Sequence, residues 1–256
     1  MTDLQPDGYL ATEMHNGVLV LRLGAFPAHP LSLSMVRALK AEFSTLTDNS
    51  DVRAVVLLGE GRIFCAGHDL KEIRRHRQDA DDGQAYVTTL FHECTEMMLT
   101  LARLPQPTIA VVQGVATAGG LQLMCSCDMT FAGPGARFCL PGVNNGGFCT
   151  TPAVAVGRKI GRNHLMELAL SGELFDAEWA LSAGLINRIV PDHLLFDTAI
   201  EFAETLARCH APALAAGKAM LYRQLELPLD QAYAEATDVM IGHFMDPHRV
   251  ALERGD

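Results

Sequence analysis

Near the start of the chain, apolar residues crowd two short stretches bounded by turn signals. "GVLVLRL" (17–23) and "VRAVVLLGEG" (52–61) predict strands, the second running into Gly-Glu-Gly turn chemistry. Between them, "SLSMVRALKAEFSTLTD" repeats its apolar residues at helical spacing behind a Ser32 or Ser34 cap. A second helix is predicted over roughly 84–103, with Phe91, Cys94, Met97, Met98 and Leu101 on one face. "TIAVVQG" (108–114) predicts a buried strand, "GGLQLMCSC" opens a helix, and "MTFAG" and "ARFCLPG" predict short strands. Asp176 caps a further helix that Gly184 ends. From about 194 the pattern is helical and amphipathic to the end. Its apolar faces, "LLFDTAIEFAETLA" and "AYAEATDVMIGHF", are larger than one core requires. Strands alternating with helices define an α/β layered core, expected over 1–193, with a helical oligomerisation region over 194–256.

Composition narrows the function. The 256 residues are 49% hydrophobic and 20% charged, enough to bury a sizeable core. A formal charge of −10 argues against a nucleic-acid partner, which selects a basic face. The seven cysteines are odd in number and scattered through apolar segments. Cys125 and Cys127 are spaced C-x-C, so neither a disulfide framework nor a metal site is expected. Asp3 and Pro6 stand where a secretory signal needs basic and then apolar residues, and a cytoplasmic location is expected. The uncharged run from Gln106 to Cys127 is long enough to span a membrane. Its proline, glycines and glutamines instead predict a strand, a turn and a buried helix.

Two glycine turns carry the candidate chemistry. Gly114-x-x-x-x-Gly119 lacks the Lys and Ser/Thr of a phosphate loop, and no G-x-G-x-x-G opens the first βα turn. Gly119-Gly120 nevertheless joins a strand to a helix N-terminus, where backbone N–H groups are free to face a developing anion. "GRIFCAGHDLKEI" (61–73) repeats that layout, with Gly67 in the turn and Asp69 near the helix start. On spacing alone, close helix–strand packing is the favoured reading of Gly119-Gly120.

With both stretches in view, the chain resembles the crotonase (enoyl-CoA hydratase/isomerase) family. "FCAGHDLKEI" is similar to that family's first oxyanion segment and "PTIAVVQGVATAGGLQLMCSCDMTFAG" to its second. "ARFCLPGVNNG" and "ALSAGLINRIV" resemble the stretches that follow, so the likeness covers nearly the whole chain. "LPGVNNGGFCTTP" resembles in particular the branch of enoyl-CoA hydratase domain-containing protein 3. The resemblance implies a spiral of ββα turns, binding of an acyl-CoA thioester, and a homotrimer or dimer of trimers. Coenzyme A enters only as part of the substrate, with no separate cofactor. The resemblance also implies an oxyanion hole from the backbone N–H groups of His68 and Gly119. Around it, Ala66, Asp69, Leu70, Lys71, Asn144, Cys149 and Lys218 become candidate substrate contacts, the two lysines for coenzyme A phosphates.

The same resemblance exposes what is missing. Hydratases of the family place one glutamate three residues after the oxyanion glycine, position 122 here, and a second after a proline, position 142 here. This chain has Gln122 and Gly142. An amide neither gives up nor accepts a proton usefully near neutral pH, and glycine supplies only backbone. General acid–base groups contribute roughly 10²–10⁴-fold, so hydration is expected to be weak or absent. The dehalogenating branch's aspartate falls at Thr150, which leaves that chemistry unsupported. Gln122 reads either as an orienting group or as a satisfied buried amide. Asn144 and Asn145 read as pocket contacts or turn formers, and Cys149 as a nucleophile or an apolar thiol. His92 is a base or a surface residue, and Asp128 a catalyst or a structural hydrogen-bonder. Two functions stay open: an enzyme working a different thioester reaction through the oxyanion hole, or a non-catalytic acyl-CoA binder.

Overall fold

The computed structural model describes residues 3, 4 and 8–255. Three antiparallel strands open it: β1 (Asp3–Leu4), β2 (Leu10–His15) and β3 (Val18–Leu23). The β2–β3 turn is Asn16-Gly17, both at positive φ (47° and 83°), the geometry that matches strand twist in a two-residue hairpin. Helix α1 (Leu33–Leu46) follows, and Met35 N–H donates to Ser32 Oγ at 3.1 Å, which puts the cap on Ser32 rather than Ser34.

Three ββα turns come next. The first holds β4 (Ala54–Gly59), β5 (Ile63–Cys65), α2 (Leu70–His76) and α3 (Gln84–Ala102). The second is β6 (Thr108–Val112), β7 (Val115–Thr117) and α4 (Gly119–Ser126). The third is β8 (Met129–Ala132), β9 (Arg137–Cys139), a 3₁₀ turn (Pro141–Asn145) and α5 (Thr150–Val156). Then come α6 (Arg162–Ser171), β10 (Phe175–Asp176), α7 (Ala177–Ser182) and β11 (Arg188–Ile189). Four helices end the chain: α8 (Asp192–Ala207), α9 (Ala211–Gln224), α10 (Leu229–Met245) and α11 (Pro247–Arg254).

Each ββα turn gives its first strand to one sheet and its second to another. The larger sheet runs β1-β2-β3-β4-β6-β8-β11, parallel from β3 onward. The smaller runs β10-β9-β7-β5, with β5, β7 and β9 parallel. The chain therefore advances as the spiral that the resemblance implies. Strand β4 is buried at every position, as a parallel strand covered on both faces should be. One side of the large sheet packs on α1, α3 and α4 through Phe43, Leu90 and Leu123. The other receives α8, whose Ala199 and Ala203 lie on Val20, Val56 and Ile109.

That second contact corrects the expected division at 193/194, which falls in the first turn of α8. Leu195, Ala199, Ala203 and Ala207 are buried against the sheet, so α8 belongs to the core. Only α9–α11 stand away from it. Helix α9 buries no residue and α10 only Ala232, while Leu225, Leu229 and Tyr233 stay 69–74% exposed. No helix among the described residues is long and apolar enough to cross a membrane.

Helix α4 is the element that fixes the site, and it is buried at all eight positions. It lies against β5 so closely that a Cβ on Gly120 would stand 2.0 Å from the carbonyl oxygen of Cys65. Gly120→Ala is expected to cost about 3 kcal/mol or more, since backbone must move to admit the methyl. Urea unfolding measures it; a loss under about 0.5 kcal/mol, the range of a neutral surface change, would show the approach to be looser than described.

Candidate active site

Strands β5, β7 and β9 end side by side, so the three turns that follow them share one edge of the small sheet. Pairing of Cys65 with Ala116 and of Thr117 with Cys139 sets that register. Two cross-links lock it: Ala118 N–H donates to Cys139 O at 3.1 Å, and Thr117 Oγ1 lies 3.1 Å from Cys139 Sγ.

At this edge the two glycine turns touch. Gly67 has φ +80°, and a Cβ there would lie 2.9 Å from Gly119 N and 3.1 Å from Thr117 O. A Cβ on Gly119 would in turn meet Gly67 Cα at 3.4 Å. The carbonyl of Gly67 accepts from Leu31 N–H at 2.8 Å, and Leu31 O accepts from Asp69 N–H. That pattern leaves His68 N–H without a backbone acceptor among the described residues. Gly119 is the first residue of α4, whose first ladder bond runs from Gln122 N–H to Ala118 O, so its N–H also lacks a helical acceptor. Before it, Ala118 sits at φ 50°, ψ −120°, a conformation costing a non-glycine residue of order 1–3 kcal/mol. Two free donors held this way suit an oxygen that gains negative charge.

The His68 ring is packed on Phe91, centroids 4.5 Å apart, and burial pushes its pKa down, so its backbone rather than its imidazole is available. Asp69 caps α2, its carboxylate accepting from Lys71 and Glu72 N–H groups. Ala66 N–H is tied to Ala28 O at 3.0 Å, while Leu70 and Lys71 project outward from the start of α2. Gln122 is 6% exposed, and its Oε1 is buried with no hydrogen-bond partner. Gly142 offers no room: a Cβ there would lie 2.6 Å from Cys149 N and 3.0 Å from Cys149 Sγ. Cys149 thus borders the site, but burial raises its pKa and no base bonds to it among the described residues, so it is not an activated nucleophile.

Five candidates are engaged or placed elsewhere. Lys218 has a side chain only 12% exposed, and its ammonium bonds Asp128 Oδ2 at 2.7 Å and Gln106 O at 2.8 Å. Burial lowers its pKa and Asp128 opposes that. It sits past the C-terminal end of α4, about 12 Å from the glycine turns by helix rise, and its donors are spent on the core. Asn144 donates to Gly172 O at 3.0 Å, capping α6, and Asn145 donates to Pro141 O, so both serve the turn. His92 lies exposed on α3. Asp128 is structural: its oxygens also accept from Thr108 N–H, Thr108 Oγ1 and Tyr222 Oη.

A parallel two-sheet spiral with paired N–H donors at the strand ends is the crotonase architecture. The family model described as enoyl-CoA hydratase/isomerase matches residues 13–251. The mitochondrial enoyl-CoA hydratase domain-containing protein 3 of Rattus norvegicus is 38% identical over 82% of this chain and 69% of its own. An enoyl-CoA hydratase/isomerase family protein from Silicibacter pomeroyi superposes with TM-score 0.89 at 54% identity, covering 93% of this chain and 99% of that one. Human enoyl-CoA hydratase domain-containing protein 3 does so with TM-score 0.89 at 30% identity, over 96% and 98%. The chain belongs to the enoyl-CoA hydratase/isomerase family, within the branch of these domain-containing protein 3 relatives.

Burial also governs the thiols. Cys65, Cys94, Cys125 and Cys127 are each pushed from 9.0 up to about 12. Their protonated forms stabilise the fold fully below the unfolded pKa, and that contribution is lost as pH climbs from about 9 toward about 12. Stability is expected to fall across this window. At pH 8, iodoacetamide should label Cys209, the one exposed thiol, and leave these four unmodified until the chain unfolds; their fast labelling in the native protein, read by mass spectrometry, would contradict the burial argument.

Proposed function

We propose that the protein binds acyl-CoA thioesters and polarises the thioester carbonyl with the N–H groups of His68 and Gly119. The contact between the Gly67 and Gly119 turns carries this reading. Charge moving onto the carbonyl oxygen as an enolate or tetrahedral adduct forms would meet two fixed donors. Each is worth about 3–4 kcal/mol of transition-state stabilisation in comparable sites. Among the described residues no carboxylate stands free beside them: Asp69 is a cap, Glu72 accepts from Leu33 N–H, and Asp128 is bound at the far end of α4. Reactions driven by oxyanion stabilisation alone fit this site better than hydration, which needs groups to handle a proton from water.

Two outcomes check the reading. A bound CoA thioester at roughly a hundred times its Kd adds about 2.7 kcal/mol, a rise in Tm of about 5–10 °C for a chain of this size. Free fatty acids should give none, and the absence of a shift with every CoA ester would sink the proposal. Crotonyl-CoA hydration should stay near background. Gln122→Glu combined with Gly142→Glu should not restore it, because a side chain at 142 displaces the backbone of Phe148 and Cys149. Brisk wild-type hydration would show that water is activated by some other means.

The exposed apolar residues of α9 and α10 support self-association as a homotrimer or dimer of trimers. Light scattering at micromolar concentration should report one of these masses; a monomer would refute it.

A further inference from the structure

A cavity of about 340 Å³ runs from Gln122 along one face of α4, past Cys125 and Ser126. Helices α3 and α5 wall it with Met98, Leu99 and Val154, and the end of α9 closes it. Its first residue, Gln122, follows Gly119 by three positions, about 4.5 Å along the helix, so the space begins within one helical turn of the glycine turns.

Its polar groups do not match an alkyl chain. Neither amide atom of Gln122 has a hydrogen-bond partner among the described residues, although the residue is 6% exposed. Leaving such a group unpaired costs about 1–3 kcal/mol. The mouth carries Arg103, Arg158 and Lys159 against a single carboxylate, Glu226, in a chain whose net charge is −10. Lys159 spends its hydrogens on Cys127 O and Asp128 O, and Arg158 faces Glu226 at 4.0 Å. Arg103, at the end of α3, has no side-chain partner among the described residues.

We infer that the acyl group this cavity selects carries a carboxylate of its own, held by Arg103 at the mouth with Gln122 donating to an acyl oxygen further in. The substrate class is then the CoA monothioester of a dicarboxylic acid. This rests on the proposed thioester binding, with coenzyme A common to every ligand and only the acyl end deciding.

The test measures Kd by calorimetry for length-matched pairs: succinyl- against butyryl-CoA, adipyl- against hexanoyl-CoA, and suberyl- against octanoyl-CoA. At one length or more, the carboxylate should bind about tenfold tighter, the effect of one charged hydrogen bond. The preference should shrink as salt is raised, since the mouth is open to solvent. In Arg103→Gln it should fall to about one, with Tm unchanged because the side chain is exposed, while Gln122→Met should weaken both members of each pair alike. Equal or tighter binding of the alkyl ester at every length overturns the inference and leaves thioester binding standing. So does a preference that survives in Arg103→Gln. If no thioester binds at all, the proposed function fails first and this inference with it.

Discussion

Three glycines let two strand ends come closer than any side chain would allow. Gly67 faces Gly119, and Gly120 faces the carbonyl of Cys65, with virtual Cβ contacts of 2.9 and 2.0 Å respectively. Because β5 and β7 are parallel neighbours, their exits lie side by side, and only absent side chains permit helix α4 to start there. The direction of α4, the burial of Gln122 and the exposure of two backbone N–H groups all follow from this contact. Ala118 absorbs the remaining misfit by adopting a backbone conformation that glycine takes more readily.

The same close packing makes the site electrically quiet. His68 is pushed toward its neutral form by burial against Phe91, and Cys139 and Cys149 are held as thiols for the same reason. What remains are backbone dipoles, one amide and apolar walls. In such surroundings fixed donors act more strongly than in water, because no solvent has to reorganise around the charge they meet. The candidate chemistry therefore rests on backbone geometry, with the nearest carboxylates, Asp69 and Glu72, engaged by backbone N–H groups.

At the other end of α4, Asp128 joins the core to the C-terminal helices. It takes hydrogen bonds from Thr108 on β6 and from Lys218 and Tyr222 on α9. Removing one partner of a mostly buried pair commonly costs 3–5 kcal/mol, so this cluster is a substantial tie between α9 and the core. Its presence explains why Lys218, read as a phosphate contact by likeness, faces inward.

Periodicity located β3, β4, α1 and α3 to within a few residues, because each is long enough for its buried face to repeat. Local chemistry likewise offers a cap at Ser32 or Ser34 and another at Asp176, and the structure uses Ser32 and Asp176. Ordered motifs identified the family and both glycine turns. The hairpin partner β2 has only the Asn16-Gly17 turn to announce it, since its mixed polarity hides the alternation. Other features had no local signal at all. Whether Gly67 meets Gly119 depends on the pairing of β5 with β7, fifty residues apart in the chain. Gly142 lacks room because Phe148 and Cys149 fold back over it. Asn144 turned to Gly172 and Lys218 to Asp128, each choosing a partner that only the packed chain brings near. Local pattern decides which residues prefer to be buried and where the backbone can turn; the assembled sheets decide which turns share an edge, and so which N–H groups remain free.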